Sequence, residues 1–276
     1  MKSLAHFCDI VSTFTIFDDL VKILNTSRRP GRKPDLNVSE VLTIITIMVK
    51  NHIKEMSILY TYLQEHHSKD FTLPCYKNFV QTLNNTTPFV LLTITILLKM
   101  NNPDNKTVLV DATALPVCKN IRITNHKVSK GLATRSKGTM GWFYGFKLHL
   151  ATNTKGDILK LRITTGNAKE RDVLKTFLQE IHECFFVADA GYISQELEQF
   201  AYQERNLLKT CTRKNMKKLM TQLDHYLLNQ RIRIESVFSV LKDRLNLVSS
   251  LARSVKGCFS HYVRIIFGYI ALKSIS

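Results

Sequence analysis

The sequence predicts a mixed α/β (α+β) fold: a sheet flanked by helices over residues 101–276, preceded by a small helical domain over residues 1–100. Three observations carry this prediction. Apolar residues recur at helical spacing through the first hundred residues. From residue 107 onward, short β-branched runs alternate with helical patterns. Between the two regimes lies a turn-rich junction, Asn101-Asn-Pro-Asp-Asn-Lys106.

In the first part, Phe7 to Leu24 reads as a helix. A basic break, Ser27-Arg-Arg-Pro-Gly-Arg-Lys-Pro34, reads equally well as a phosphate-contacting loop or a solvated linker. Asn37 precedes Glu40 by three residues, a capping-box spacing that starts a buried helix through Val41–Val49. Tyr60, Tyr62 and Leu63 belong to a further helical pattern, and Pro74 and Pro88 mark breaks. A helix-turn-helix fits within this part.

In the second part, Thr107-Val-Leu-Val-Asp111 reads as a short buried strand ending in an acid. Trp142–Thr152 and Ile158–Thr164 read as a hairpin around Thr154-Lys-Gly-Asp157. Ala168–His182 is a helix, Cys184-Phe-Phe-Val-Ala-Asp189 a second buried strand ending in an acid, and Ser194 caps a helix to about Tyr202. A last short strand covers Leu207–Cys211. Arg231–Leu245 is an amphipathic helix whose apolar face is Ile234, Val237, Phe238, Val240, Leu241 and Leu245. Arg231, Glu235 and Lys242 form a stripe at its border. Tyr262–Leu272 is a final apolar helix. The resulting order of strands and helices matches a ribonuclease H-like sheet.

Composition narrows the partner. The 276 residues carry a formal charge of +17, which calls for a polyanion, nucleic acid before an anionic membrane surface. Ala112 to Gly156 contains no Asp or Glu and eight cations: Lys119, Arg122, Lys127, Lys130, Arg135, Lys137, Lys147 and Lys155. A surface built only for solubility mixes both signs, so this stretch reads as a phosphate-contacting surface. Arg205 to Leu223 likewise lacks acids and holds six cations. The six scattered cysteines show no CxxC or zinc spacing and read as reduced thiols of a cytosolic protein. The apolar windows are too short to span a bilayer, and no signal peptide is visible.

The chemistry rests on three acids. Asp111 and Asp189 stand 78 residues apart at strand ends, and Glu235 follows 46 residues later on a helix. Neighbouring strand ends lie about 4.8 Å apart, so such carboxylates can share metal ions spaced about 3.5–4 Å that activate a water or hydroxyl and stabilise the leaving oxygen of a phosphodiester. Mg²⁺ suits a few carboxylates plus water and phosphate ligands. Lys242 could hold a phosphate, and Arg231 could hold Glu235 or a second phosphate. Each acid also has a plainer reading. Asp111 could end a strand in a turn, Asp189 could make an Asx turn, and Arg231–Glu235 could be a surface i,i+4 pair of ~0.2–0.5 kcal/mol. Asp157 reads as a solvated turn acid, and Asp172 as a residue placed by the helix macrodipole. Tyr192 and Trp142 read as core, and His66, His67, His126 and His149 show no ligand spacing.

Several stretches together carry a resemblance. They are Gly31-Arg-Lys-Pro34 with Ser39-Glu-Val-Leu-Thr43, Val110-Asp-Ala-Thr-Ala-Leu-Pro-Val-Cys118, Gly141-Trp-Phe-Tyr-Gly-Phe-Lys-Leu-His149, Asp189-Ala-Gly-Tyr192, and Arg231-Ile-Arg-Ile-Glu-Ser-Val-Phe-Ser239. Over almost its whole length the chain resembles the DDE transposases of bacterial insertion sequences, nearest to the IS982 family within the wider IS4-like group. That group's Tyr-x2-Arg-x3-Glu-x6-Lys signature fits Arg231, Glu235 and Lys242, with Leu228 at the Tyr position. Where the group has a basic residue after the tyrosine of its second-Asp signature, this chain has Glu196 or Leu197.

The resemblance implies Asp111, Asp189 and Glu235 as the catalytic, metal-binding triad, with two Mg²⁺ ions or Mn²⁺ in their place. It implies a nuclease-type enzyme for DNA transposition and recombination, working by phosphodiester hydrolysis and transesterification. The partners implied are duplex DNA, as terminal inverted repeats and target, and a second copy of the chain in the DNA complex. The resemblance implies no membrane partner and action in the bacterial cytoplasm, at the nucleoid. Residues 1–100 would bind DNA and residues 101–276 would supply catalysis, with Arg231, Lys242, Lys119, Arg122, Lys127, Lys130, Arg135 and Lys137 on DNA. The alternatives are an inactive DNA-binding remnant or regulator and a structure-selective nuclease on the same fold. The Asp189–Glu235 segment is too short for a large β insertion, so an uninterrupted core is expected.

Overall fold

The computed structural model describes residues 2–23, 35–103, 106–138, 141–211, 221–249 and 252–275. The basic break at 27–34 and residues 212–220 of the acid-free segment at 205–223 lie outside the described residues. Helices α1 (Lys2–Ile23), α2 (Val38–Lys50), α3 (Met56–His66), α4 (Tyr76–Asn85) and α5 (Thr87–Met100) come first. Strands β1 (Thr107–Cys118), β2 (Thr134–Gly138), β3 (Gly141–Thr152) and β4 (Ile158–Thr165) follow. Then come α6 (Glu170–Glu180), β5 (Phe185–Ala188), α7 (Gln195–Gln203), β6 (Leu207–Thr210), α8 (Gln222–Gln230), α9 (Ile232–Ser239) and α10 (Val255–Ile275).

Two compact units result. The first is Met1–Leu97 with Asp243–Leu247 and Ala252–Ser276; the second is Leu98–Lys242 with Val248–Leu251. The final helix, which the sequence reading joins to residues 101–276, thus packs in the helical unit. Its reason is steric fit: α10 lies so close to α2 that a Cβ at Gly268 would stand 2.2 Å from Val49 Cγ2. Helix α2 opens on the expected capping box, with Glu40 N–H donating to Asn37 Oδ1 at 2.8 Å and Asn37 N–H to Glu40 Oε2 at 2.6 Å. Val41, Leu42, Ile44, Ile45, Ile47, Met48 and Val49 are buried, as the apolar run requires. Among the described residues no single helix is long and apolar enough to cross a membrane; only α4 and α5 taken together, bent by 46°, reach that length and apolarity.

The second unit holds one mixed sheet in the order β2-β3-β1-β5-β6, with β4 also on β3. The outer edge of β3 is shared end to end: Gly141–Gly145 pairs with β2, and Phe146–Thr152 with β4. Setting β2 aside, β4-β3-β1 is antiparallel and β1-β5-β6 is parallel, the ribonuclease H-like arrangement. One face is covered by α6 and α7, whose Val173, Leu174, Phe177, Leu178, Leu197 and Ala201 meet Val108, Val110, Ala151 and Phe186 of the sheet. Helix α9 packs on β1.

The sheet departs from the sequence reading in two ways. Strand β1 does not stop at Asp111 but runs on to Cys118, because β3 continues to pair with it there. Strand β2, whose Thr-Arg-Ser-Lys-Gly sequence has no apolar alternation, forms as an exposed edge of the β2–β3 hairpin. Its partner Trp142, expected in the core, is 52 % exposed and lies under the Arg135 guanidinium at 5.0 Å. Asp157 is likewise no solvated acid: it accepts from Asn153 Nδ2 at 2.8 Å within the β3–β4 turn. The described cysteines Cys75, Cys118, Cys184, Cys211 and Cys258 are free thiols.

Where β3 crosses β1 near its bulge, the strands leave no room for a side chain. A Cβ at Gly145 would stand 2.1 Å from the Leu115 carbonyl oxygen. Gly145→Ala is therefore expected to lower stability by about 1–3 kcal/mol in chemical denaturation; an unchanged midpoint would show that the two strands part freely.

Candidate active site

The parallel pairing of β1 with β5 sets the site. Thr107, Val108 and Leu109 pair with Phe185, Phe186 and Val187, a constant offset of 78 residues. Continued by two residues, the same offset carries Asp111 to Asp189. Asp111 is thus the residue of β1 that stands level with the chain just beyond the end of β5. The expectation of an acid at a strand end holds for Asp189 and for the end of the β1–β5 ladder, not for the end of β1.

Neighbouring side chains fix this level. Asn206 holds the entry to β5: its Oδ1 accepts from Cys184 N at 3.0 Å and its Nδ2 donates to Leu178 O at 3.0 Å and Ile181 O at 2.7 Å. The short helical turn Ala190–Tyr192 after Asp189 is clamped by Arg171 of α6, which donates to Gly191 O and, at 2.8 Å, to Ile193 O. Ser194 then caps α7 through Leu197 N, as expected.

The third acid arrives from α8 and α9. Thr221 starts α8 with a capping box to Asp224, and Lys209 of β6 pairs with Asp224 at 2.7 Å, tying that helix to the sheet. The sequence reading placed one continuous helix over Arg231–Leu245. The structure starts it at Ile232, with Arg231 at the break from α8, and ends it in a π turn over Val240–Arg244. Ile234, Val237, Phe238 and Leu241 are buried as expected. Lys242 falls inside the π turn, half-buried, where the wider winding takes it out of strict α-helical register with Glu235.

Arg231 is the cation that the fold brings to all three acids. Its Nη2 donates to Glu235 Oε1 at 2.6 Å, and its Nη1 lies 3.8 Å from both Asp111 Oδ2 and Asp189 Oδ1. Asp111 Oδ1 accepts from Ala112 N–H at 2.8 Å. The Glu235 and Asp189 side chains are about half exposed, at 52 % and 50 %, whereas that of Asp111 is 22 % exposed. Burial pushes the Asp111 carboxyl up to about 6, aided by the negative charges of Asp189 and Glu170 and opposed by the Ala112 amide and Arg231.

The three acids offer only hard oxygen donors, and Asp111 is short of cationic compensation, so the set suits a hard divalent ion. Among the described residues no three acids, histidines or cysteines are already gathered closely enough to hold a metal. The Arg231 guanidinium stands among the acids instead.

Other groups near the site escaped sequence reading. Glu170, which the sequence does not single out, pairs with Lys147 of β3 at 2.9 Å, and its charge reaches Asp111. Tyr192 is buried as expected, with its hydroxyl unpartnered among the described residues. Burial and the Glu170, Asp111 and Asp189 carboxylates push its phenol upward. His149 is buried, bonded to Thr164 Oγ1 at 2.9 Å, and its pKa is pushed down to about 4 by burial. The spacing of Lys147 and Glu170 carries no local signal of their pairing; only the register of β3 against α6 creates it.

Lys119, Arg122, Lys127, Lys130, Arg135 and Lys137 are all exposed, and among the described residues none forms an ion pair with an acid. They lie on the excursion from the end of β1 through β2.

Residues 102–255 match the family model of a transposase DDE domain, more than half of the chain. The chain belongs to this family. The matched span includes Asp111, Asp189, Arg231 and Glu235. No curated protein matches the chain. Membership makes the protein a transposase-type enzyme, and the matched span holds both the sheet and α9.

The raised Asp111 value gives this DDE domain a pH signature. A carboxyl whose folded pKa lies above its ordinary value costs stability as pH rises from about 4 to about 6. Asp111→Asn removes that cost and keeps an oxygen for the Ala112 amide. The metal-free variant should match the wild type near pH 4 and exceed it by at most about 3 kcal/mol above pH 6.5. A stability difference that stays flat across that range would show that Asp111 carries no burial penalty.

Proposed function

We propose that the protein is a DNA transposase that binds the terminal inverted repeats of its own insertion sequence, cleaves the strands there and joins the freed 3′ ends to target DNA. The observation that carries this reading is the meeting of Asp111, Asp189 and Glu235, from two parallel strands and a later helix, around one guanidinium in a transposase DDE domain. In this reading the three acids are the catalytic triad and the ligands of Mg²⁺, with Mn²⁺ able to replace it. Bound there, paired metal ions would lower the pKa of the attacking water or hydroxyl and neutralise the leaving oxygen.

The residues of the chain then have distinct tasks. Asp111 must be ionised to act as a ligand; burial pushes its metal-free carboxyl up to about 6, and a cation held beside it would favour the ionised form. The Arg171 clamp on Gly191 and Ile193 holds the backbone that aims Asp189. The six exposed cations from Lys119 to Lys137 grip the phosphate backbone, and Lys242 holds a phosphate near the scissile bond. The helices of residues 1–100 recognise the element ends. We place the protein with the IS982-type elements of the IS4-like group, working as a dimer on DNA at the nucleoid in the bacterial cytoplasm.

The deciding experiment is strand nicking on DNA from the flanks of the element, measured beside binding and thermal melting. Asp111→Asn, Asp189→Asn and Glu235→Gln should each reduce Mg²⁺-dependent nicking by about a thousandfold or more, and double variants should lose little further. Binding should persist or tighten, since a negative charge near phosphate is removed. Retained nicking by Glu235→Gln would sink the assignment of α9, and loss of binding, nicking and melting temperature together would point to a structural pair instead. Binding itself should weaken on the order of 10³-fold between about 50 and 200 mM salt, if six cations each neutralise one phosphate. A flat salt response would remove the Lys119–Lys137 excursion from the DNA surface.

A further inference from the structure

We propose that Arg231 is a built-in counter-cation that occupies the centre of the three acids and must give way before a divalent ion can be held there. The inference rests on the reading of those acids as metal ligands and adds a role for a residue that binds neither metal nor the reacting atoms. Three observations carry it.

The first is sharing. One guanidinium serves Asp111, Asp189 and Glu235 at once, and its charge therefore lies at the point towards which all three carboxylates converge. A divalent ion bridging the same acids needs that position, and a positive guanidinium within about 4 Å of it would repel the ion by several times the thermal energy.

The second is uneven grip. Only the contact to Glu235, at 2.6 Å, is a hydrogen bond; the two at 3.8 Å are charge contacts without one. Arg231 is therefore anchored to its own helix neighbour and held only loosely by the strand acids. Leaving the aspartates costs it no hydrogen bond.

The third is placement. Arg231 occupies the break between α8 and α9, where its own N–H donates to Leu228 O and its carbonyl accepts from Ile234 N, both at 3.1 Å. Its side chain is 23 % exposed, open to water on one side. A side chain at such a site can swing outward while the helices stay in place. Without the guanidinium the three carboxylates would lose the ion pair they share, so the same residue stabilises the metal-free fold and weakens metal binding.

Direct metal binding tests this. Mn²⁺ or Mg²⁺ is titrated calorimetrically into the full chain, as wild type, Arg231→Gln, Arg231→Lys and Glu235→Gln, with melting curves with and without metal. Arg231→Gln should bind at least about tenfold tighter than wild type, melt lower without metal, and gain more from added metal. Arg231→Lys, which keeps the charge but loses the fork that spans three acids, should fall between the two. Equal or weaker metal binding by a folded Arg231→Gln, with wild type still binding and Glu235→Gln not, overturns the counter-cation role and leaves the metal triad standing. Absence of binding by both wild type and Arg231→Gln overturns the metal reading and this proposal with it. If Arg231→Gln does not fold without metal, the Arg231→Lys comparison decides: affinity no tighter than wild type overturns the proposal.

Discussion

The parallel ladder between β1 and β5 pairs only three residues of each strand, yet it decides where the two aspartates stand. Its offset of 78 residues equals the separation of Asp111 and Asp189, so pairing Leu109 with Val187 brings the acids level. A slip of one residue would turn one carboxylate to the opposite face of the sheet. The clamps around the ladder guard against such a slip. Asn206 ties the entry of β5 to the end of α6, and Arg171 ties its exit to the start of that helix. The register is held from both ends by side chains that touch neither acid.

The ladder imposes an electrostatic problem along with the geometry. It puts Asp111 in a half-buried position beside a second carboxylate, with Glu170 contributing from α6. Apolar packing alone would penalise such a cluster, and the fold answers with two cations. Lys147 takes Glu170 and Arg231 takes the other three acids. The remaining deficit is visible in the raised Asp111 pKa.

What could be read from the sequence was what local periodicity encodes. The capping box at Asn37 and Glu40, the Ser194 cap, the buried run of α2 and the apolar face of α9 follow from spacing within one or two turns. The three acids were legible because two ended apolar runs and one sat beside cations on an amphipathic helix. What escaped depends on distant partners. Strand β2 is polar and exists because β3 offers it an edge. The continuation of β1 past Asp111 is likewise imposed by β3. The break at Arg231, the π turn over Lys242 and the Lys147–Glu170 pair all depend on where neighbouring elements lie. The final helix follows its close fit to α2 rather than its place in the chain.

The edge position of β2 has a consequence for the protein on its own. An end strand presents unpaired backbone groups that invite pairing with another chain. Here that strand carries Arg135 and Lys137, both exposed, and its sequence lacks any apolar residue. Two copies approaching edge to edge would bring like charges together. The cations proposed to meet DNA thus also work against the free protein adding to itself strand by strand, and a polyanion that neutralised them would withdraw that protection.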